Sequence, residues 1–281
     1  NMNKEILIIC RGGGDLATGI VHRLFRAGYQ VLILETAEPA AIRRQVSFCE
    51  AVYEGTATVE GVTAERIYTA KKQAVEEVLQ RGRIPLLVDP DGRSIEVLKP
   101  DVVVDAIIAK KNLGTYKEMA PLVIGIGPGF VAGEDVHLVV ESMRGHNLAR
   151  ILETGSALAN TGIPGNIGGY TKERVIHAAA EGYMKNLHQI GDVVRKGEKI
   201  ARIYEQMSPE GVFSGRFVSV EATIPGVLRG LIREGYHFQK GFKIADIDPR
   251  EGELANCFTI SDKASSIGGS VLEAVCRYVN G

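Results

Sequence analysis

Apolar residues near the start of the chain come in short unbroken runs rather than in alternation. Ile6, Leu7, Ile8 and Ile9 form one run, and Val31, Leu32, Ile33 and Leu34 the next. Runs of this length predict strands buried on both faces, as in a parallel sheet. Between them Leu16, Ile20, Val21, Leu24 and Phe25 recur at helical spacing, and Gly28 ends the helix. This is the pattern of a βαβ unit. A further amphipathic helix is predicted over 70–81. Further strands are predicted over 85–88, 102–108, 122–126 and 136–141. Alternating helices and strands predict an α/β fold with a mostly parallel, Rossmann-like sheet over 1–150.

The texture then changes. Residues 151–175 are rich in Gly, Asn and Ser without a period, and predict a connecting loop. Residues 178–203 and 222–247 align without gaps at a constant offset of 44, with ten of 26 positions identical. Each copy reads as short strands broken by glycine turns, so 176–250 form a β-rich module with an internal repeat. Residues 251–281 end in a helix whose stripe is Ile267, Val271, Leu272, Val275 and Val279, with Ser261 or Asp262 as its cap. This helix is expected to pack back on another element.

Composition narrows the functional classes. Among 281 residues, 45% are hydrophobic, 24% are charged, and the formal net charge is −1. No basic excess points to nucleic acid or an anionic membrane, and no apolar run approaches the roughly 20 residues of a spanning helix. The N-terminus lacks a basic stretch followed by an apolar one, so a cytoplasmic location is expected. Four cysteines, Cys10, Cys49, Cys257 and Cys276, lack metal-type spacing, so no metal site is expected. Cys49 and Cys257 are either reactive thiols or, more commonly, buried and inert ones.

The stretch "RGGGDLATG" over 11–19 lies between the first strand and its helix. Gly12, Gly14 and Ala17 fit a GxGxxA turn that brings backbone close to a pyrophosphate at a helix N-terminus. Glu35 ends the next strand, 23 residues after Gly12, where an acid can bond a ribose. The expected ligand is therefore a phosphate-bearing small molecule, with a dinucleotide or molybdopterin-type cofactor in view. Its contacts would come from Arg11, Gly12, Gly13, Gly14, Asp15, Glu35, Lys110 and Asn112. Arg11 could pair with phosphate, and Asp15 would repel it or only cap the helix. A tight turn without a ligand is the plain alternative. Asp135, His137, Glu141, Arg144 and His146 are the candidate catalytic groups, on a segment expected to cross the same cleft. Arg144 would grip an anion and His146 would move a proton. A structural pair between Glu141 and Arg144 is the competing reading.

Two resemblances follow from these stretches. The repeat is similar to the halves of a biotinyl/lipoyl-type barrel-sandwich domain. Carriers of that type hold a lysine between the halves, and 204–221 contain none, so a docking module fits better than a swinging arm. The stretches "RGGGDLATG", "RRQVSFCEAVYEG", "DAIIAKKNLGT", "GIGPGFVAGEDVHLVVESMRGHNLARI" and "CFTISDKASSIGGSVLEAV" resemble the YqeB family of selenium-dependent molybdenum hydroxylase accessory proteins. That resemblance implies a maturation factor whose partner is a molybdenum hydroxylase apoprotein. An NAD-dependent oxidoreductase on a small substrate and a non-enzymatic docking scaffold are the alternatives.

Overall fold

The computed structural model describes residues 5–250 and 252–281. They divide into two compact units. One holds the chain up to Pro39, Val46–Thr161 and Ile260–Gly281; the other holds Ala40–Gln45 and Gly162–Thr259.

The first unit is built on β1 (Leu7–Arg11), β2 (Gln30–Glu35), β3 (Thr56–Val59), β4 (Val62–Ile67), β5 (Ile84–Val88), β6 (Val102–Asp105), β7 (Leu122–Ile126), β8 (Leu138–Val140) and β9 (Ile151–Leu152). They form one nine-stranded sheet in the order β3-β4-β5-β2-β1-β6-β7-β8-β9. Neighbours from β4 to β8 are parallel. The β3–β4 and β8–β9 edge pairs are antiparallel. Its helices are α1 (Asp15–Arg26), α2 (Ala51–Glu54), α3 (Lys72–Gln80), α4 (Ser94–Leu98) and α5 (Asp262–Asn280).

The period of two within the strands sorts their side chains onto two faces. Ile8 and Cys10 of β1 join a core with Ile20 and Leu24 of α1 and Ile267 and Val271 of α5. Ile9 points the other way, into a core with Val75 of α3 and Ile95 of α4. Helices α1 and α5 touch almost backbone to backbone. A Cβ on Gly19 would lie 2.7 Å from the Ala264 carbonyl oxygen, and one on Gly268 would lie 2.7 Å from that of Gly19. Glycine at both positions is what lets α5 approach α1 so closely.

The second unit holds β10 (Val175–His177), β11 (Gly182–Asn186), β12 (Val193–Val194), β13 (Lys199–Met207), β14 (Phe213–Glu221), β15 (Gly226–Leu231), β16 (His237–Phe238) and β17 (Lys243–Asp248). These make two four-stranded sheets, β10-β17-β15-β12 and β14-β13-β11-β16. All their pairs are antiparallel. Strands β11, β12 and β13 correspond to β15, β16 and β17 in the repeat. The short middle strand of each copy pairs in the sheet of the other copy.

These sheets correct the expected fold class. In place of a Rossmann-like mostly parallel sheet with a barrel-sandwich-like module, the chain forms a mixed nine-stranded sheet and two antiparallel sheets. A Rossmann sheet places its fourth parallel strand beyond β1. Here that strand, β5, inserts between β2 and β4. The right half also lacks the usual crossover helices among the described residues. The β6–β7 connection holds only a 3-10 turn at Lys117–Met119, and the β7–β8 connection holds no helix.

Candidate functional site

The parallel strands end together at one edge, where loops of open α/β sheets gather ligands. The loop after β1 is the innermost. Gly12 has a φ of +101°, and a Cβ there would lie 2.8 Å from the Ala106 carbonyl oxygen. The position needs glycine because strand β6 runs against it. The Gly13 N–H donates to Glu35 Oε1 at 2.8 Å, and the Gly13 carbonyl accepts from the Cys49 N–H at 2.9 Å. Glu35 Oε2 accepts from the Thr36 N–H at 2.7 Å. Burial raises the Glu35 pKa, and these hydrogen bonds pull it partly back.

This geometry corrects the nucleotide reading. An N–H that a pyrophosphate would need is taken by a carboxylate of the chain itself, and a carboxylate there would repel a phosphate. Arg11 does not face a ligand either. It is 2% exposed. Its Nη1 donates to Thr115 Oγ1 at 2.7 Å and its Nη2 to the Pro90 carbonyl at 3.0 Å. Thr115 Oγ1 in turn donates to Asp105 Oδ2 at 2.6 Å. The arginine therefore pins the end of β1 to the loops after β5 and β6. The NAD-dependent reading rests on the same loop and falls with it.

The remaining expected residues are scattered along both sheet edges. Asn112 holds its own turn, with Oδ1 accepting from the Gly114 and Thr115 N–H groups. Lys110 is exposed, and both Lys110 and the β-branched Ile108 have positive φ, +64° and +59°. Glu60, Lys99 and Ala149 also have positive φ, and Ile108 stands apart among the five as a β-branched residue, for which this conformation is an outlier. Asp135 and His137 precede β8, at its amino end. Asp135 Oδ1 accepts from the Val131 N–H, and His137 Nδ1 accepts from the Val123 N–H at 2.9 Å. Burial, with Lys117 adding to it, lowers the His137 pKa. Glu141 and Arg144 follow β8, at the carboxyl edge, so the strand separates the two halves of the expected constellation. Glu141 is 3% exposed. Its Oε2 accepts from the Ser142 and Met143 N–H groups and its Oε1 from the Leu158 N–H. Arg144 makes a two-pronged pair with Asp262, at 3.0 and 2.9 Å. His146 is exposed.

The sequence reading missed Lys263. It sits in the first turn of α5, whose cap is Ser261 Oγ accepting from the Ala264 N–H at 3.1 Å. Its side chain is half-buried within electrostatic reach of Arg144, Asp15, Glu141 and Asp262. No described hydrogen bond or ion pair engages its ammonium. Burial lowers its pKa and Arg144 adds to the effect, against the opposing pull of Asp15, Glu141 and Asp262. A signal was present in "SDKASS". A cation in the first turn of a helix opposes the macrodipole, so a lysine there is costly unless it has a use.

The thiols offer little competition. Burial pushes the Cys10, Cys49 and Cys257 thiols up in pKa, so they stay protonated and weakly nucleophilic. Among the described residues no group of three or more His, Cys, Asp and Glu could hold a metal ion. No described helix is long and apolar enough to cross a membrane.

No family model matches the chain. Among solved structures it is similar to a succinylglutamate desuccinylase from Silicibacter sp. TM1040, at 12% identity, covering 86% of this chain and 84% of that one, with a TM-score of 0.27. An aspartoacylase family protein from Mesorhizobium loti gives 10%, 87%, 86% and 0.29. The ectoine utilization protein EutE from Ruegeria pomeroyi gives 11%, 77%, 57% and 0.25. These TM-scores do not establish a shared fold. The loop closed by Glu35 corrects the expectation of a maturation factor that holds a nucleotide or molybdopterin-type cofactor there, and an uncharacterized relative lends the hydroxylase role no support. A curated relative is an uncharacterized protein, YqeB of Escherichia coli (strain K12), 47% identical over 274 residues. The match takes in 98% of this chain and 48% of that protein, so the chain spans about half the length of the relative it matches. The YqeB resemblance read from the sequence therefore stands as similarity along nearly the whole chain to part of an uncharacterized protein.

Proposed function

We propose that the nine-stranded unit is an enzyme unit in which Lys263 is the reactive amine toward a small carbonyl compound at the carboxyl edge of the sheet. The observation that carries this is the placement of its side chain. It is half-buried among Asp15, Glu141, Asp262 and Arg144, and no described partner holds it. An amine that is easily deprotonated is a nucleophile for carbonyl carbon. Its nitrogen adds to the carbonyl, water leaves, and a C=N bond remains. The neutral amine sheds two protons and the carbonyl oxygen gains two, one as the addition intermediate's hydroxyl forms and one as that hydroxyl leaves as water. Asp15, whose charge acts on Lys263 and whose Oδ1 accepts from the Leu16 N–H, is the candidate relay for one of them. Strain at Ile108 and Lys110 in the loop after β6 supports the choice of edge.

The test is competitive labelling of amines with acetic anhydride across pH, read by peptide mass spectrometry. Lys263 should acylate with a midpoint below that of the chain's exposed lysines, such as Lys72 and Lys240. A Lys263 midpoint equal to theirs removes the reading.

A further inference from the structure

The Arg144–Asp262 pair lies beside this amine and has a shape of its own. Both guanidinium Nη atoms meet both carboxylate oxygens, the planar fork by which arginine recognises carboxylates. The pair is open to solvent, with the Arg144 side chain 47% exposed and that of Asp262 76% exposed. Exposed pairs of this kind hold weakly. Asp262 also has a second use for its carboxylate, since Oδ1 accepts from the Lys263 N–H at 2.8 Å. It can leave Arg144 and still be satisfied. The residue that now fills the fork is the chain neighbour of Lys263, so the fork and the amine belong to one site.

Resting on the Lys263 reading, we propose that the carbonyl compound is a short oxo acid whose carboxylate replaces Asp262 on the guanidinium of Arg144 while its carbonyl meets Lys263. Asp262 is then a stand-in for the substrate's own carboxylate. Three carboxylates of the site oppose a further anion, and each is partly answered. Glu141 is met by three backbone N–H groups and Asp15 by one. The N-termini of α1 and α5, which open at Asp15 and Asp262, add positive potential. Asp262 holds Arg144 and the Lys263 N–H, so on the guanidinium it competes directly with the ligand.

The experiment traps the C=N bond in the full chain. Pyruvate or acetone is supplied with sodium cyanoborohydride, whose hydride reduces the imine to a stable secondary amine, and occupancy at Lys263 is read by peptide mass spectrometry. Pyruvate carries the carboxylate and acetone lacks it. The ratio of their trapping rates should fall about tenfold in Arg144→Ala, the scale of one charge-assisted pair, and rise in Asp262→Asn. Both side chains are exposed, so the variants should fold. A ratio unchanged by Arg144→Ala overturns the oxo-acid assignment and leaves the Lys263 reading standing. A second readout does not depend on Lys263. In Asp262→Asn protein, pyruvate should slow modification of Arg144 by phenylglyoxal. Failure to protect overturns the carboxylate anchor, whereas protection without trapping at Lys263 overturns the amine chemistry alone.

Discussion

In the second unit Gly182 and Gly226 occupy matching places in the repeat and solve the same problem. Their φ values are +155° and +153°, and a Cβ on either would lie 2.3 Å from a carbonyl oxygen, of Tyr204 and Asp248 respectively. In the first unit no glycine has such a counterpart. Gly12 lets β1 turn past β6, Gly13 places its N–H on Glu35, and Gly19 admits α5 against α1. The contrast separates two kinds of irregularity. A constraint used twice reports how a unit closes on itself. One-off constraints gathered at a single edge, with positive φ at Ile108 and Lys110 and a half-buried Lys263 near Asp15 and Glu141, report a place shaped for something else.

The largest expected effect tests the repeated half of that contrast. Gly182→Ala and Gly226→Ala each combine a steric clash with backbone strain, and each should cost about 4 kcal/mol. Their costs should agree closely, because the surroundings do. Urea denaturation of the two variants checks this. One variant destabilised and the other tolerated would mean that the repeat is a likeness of sequence without a likeness of packing.

A somewhat smaller effect belongs to the first unit. Glu141→Ala orphans the Ser142, Met143 and Leu158 N–H groups at a buried position, and should cost about 3 kcal/mol. The damage should be local. Limited proteolysis should open the chain between 142 and 158, before the sheet is lost. If Glu141→Ala instead leaves that segment protected, the carboxylate is not what organises the loop, and Glu141 returns to the pool of groups available for chemistry.

The parts of this structure that were legible in the sequence are those fixed by local pattern. Unbroken apolar runs marked β1 and β2 because both faces of those strands are buried, and helical spacing marked α1 and α5. Strand order was not legible. Nothing in the run "PLLV" says that β5 inserts beside β2 rather than beyond β1, since either neighbour offers the same buried faces. The glycine loop was recognised, but its use was misread for a related reason. Glu35 at the end of β2 suits a ribose hydroxyl and a Gly13 N–H equally well, and only the folded distance tells which it takes. Asp135, His137, Glu141 and Arg144 share one segment, yet β8 carries the first pair to one edge and the second to the other. Lys263 escaped because its importance comes from residues far away in sequence, Asp15 and Glu141, which no local pattern links to it.

The smallest expected effect is also the most specific to the proposed site. Lys263 is a base whose folded pKa lies below its ordinary value of 10.5, chiefly through burial, with Arg144 contributing. At pH values below the folded pKa both folded and unfolded chains carry the proton, and the cost of holding a partly buried ammonium is paid in full. Between the folded pKa and 10.5 the unfolded chain binds more protons than the folded one, so stability must rise with pH across that window. Above it both forms are neutral and the penalty is gone. Lys263→Met keeps the length and apolar stem of the side chain and removes the titration. The variant should therefore be the more stable protein near neutral pH, and its advantage should shrink through the alkaline window. Taking the difference between the two proteins cancels other groups that titrate there, such as Tyr29, whose pKa is pushed up to about 12 by burial and its contact with Cys276. Lys263→Met leaves the charged groups facing that side chain, Asp15, Glu141, Asp262 and Arg144, in place in both proteins. Urea midpoints measured from pH 7 upward would give the difference curve. A flat difference would mean that Lys263 behaves as an ordinary solvated lysine, and the first unit's carboxyl edge would lose the amine on which the proposed site rests.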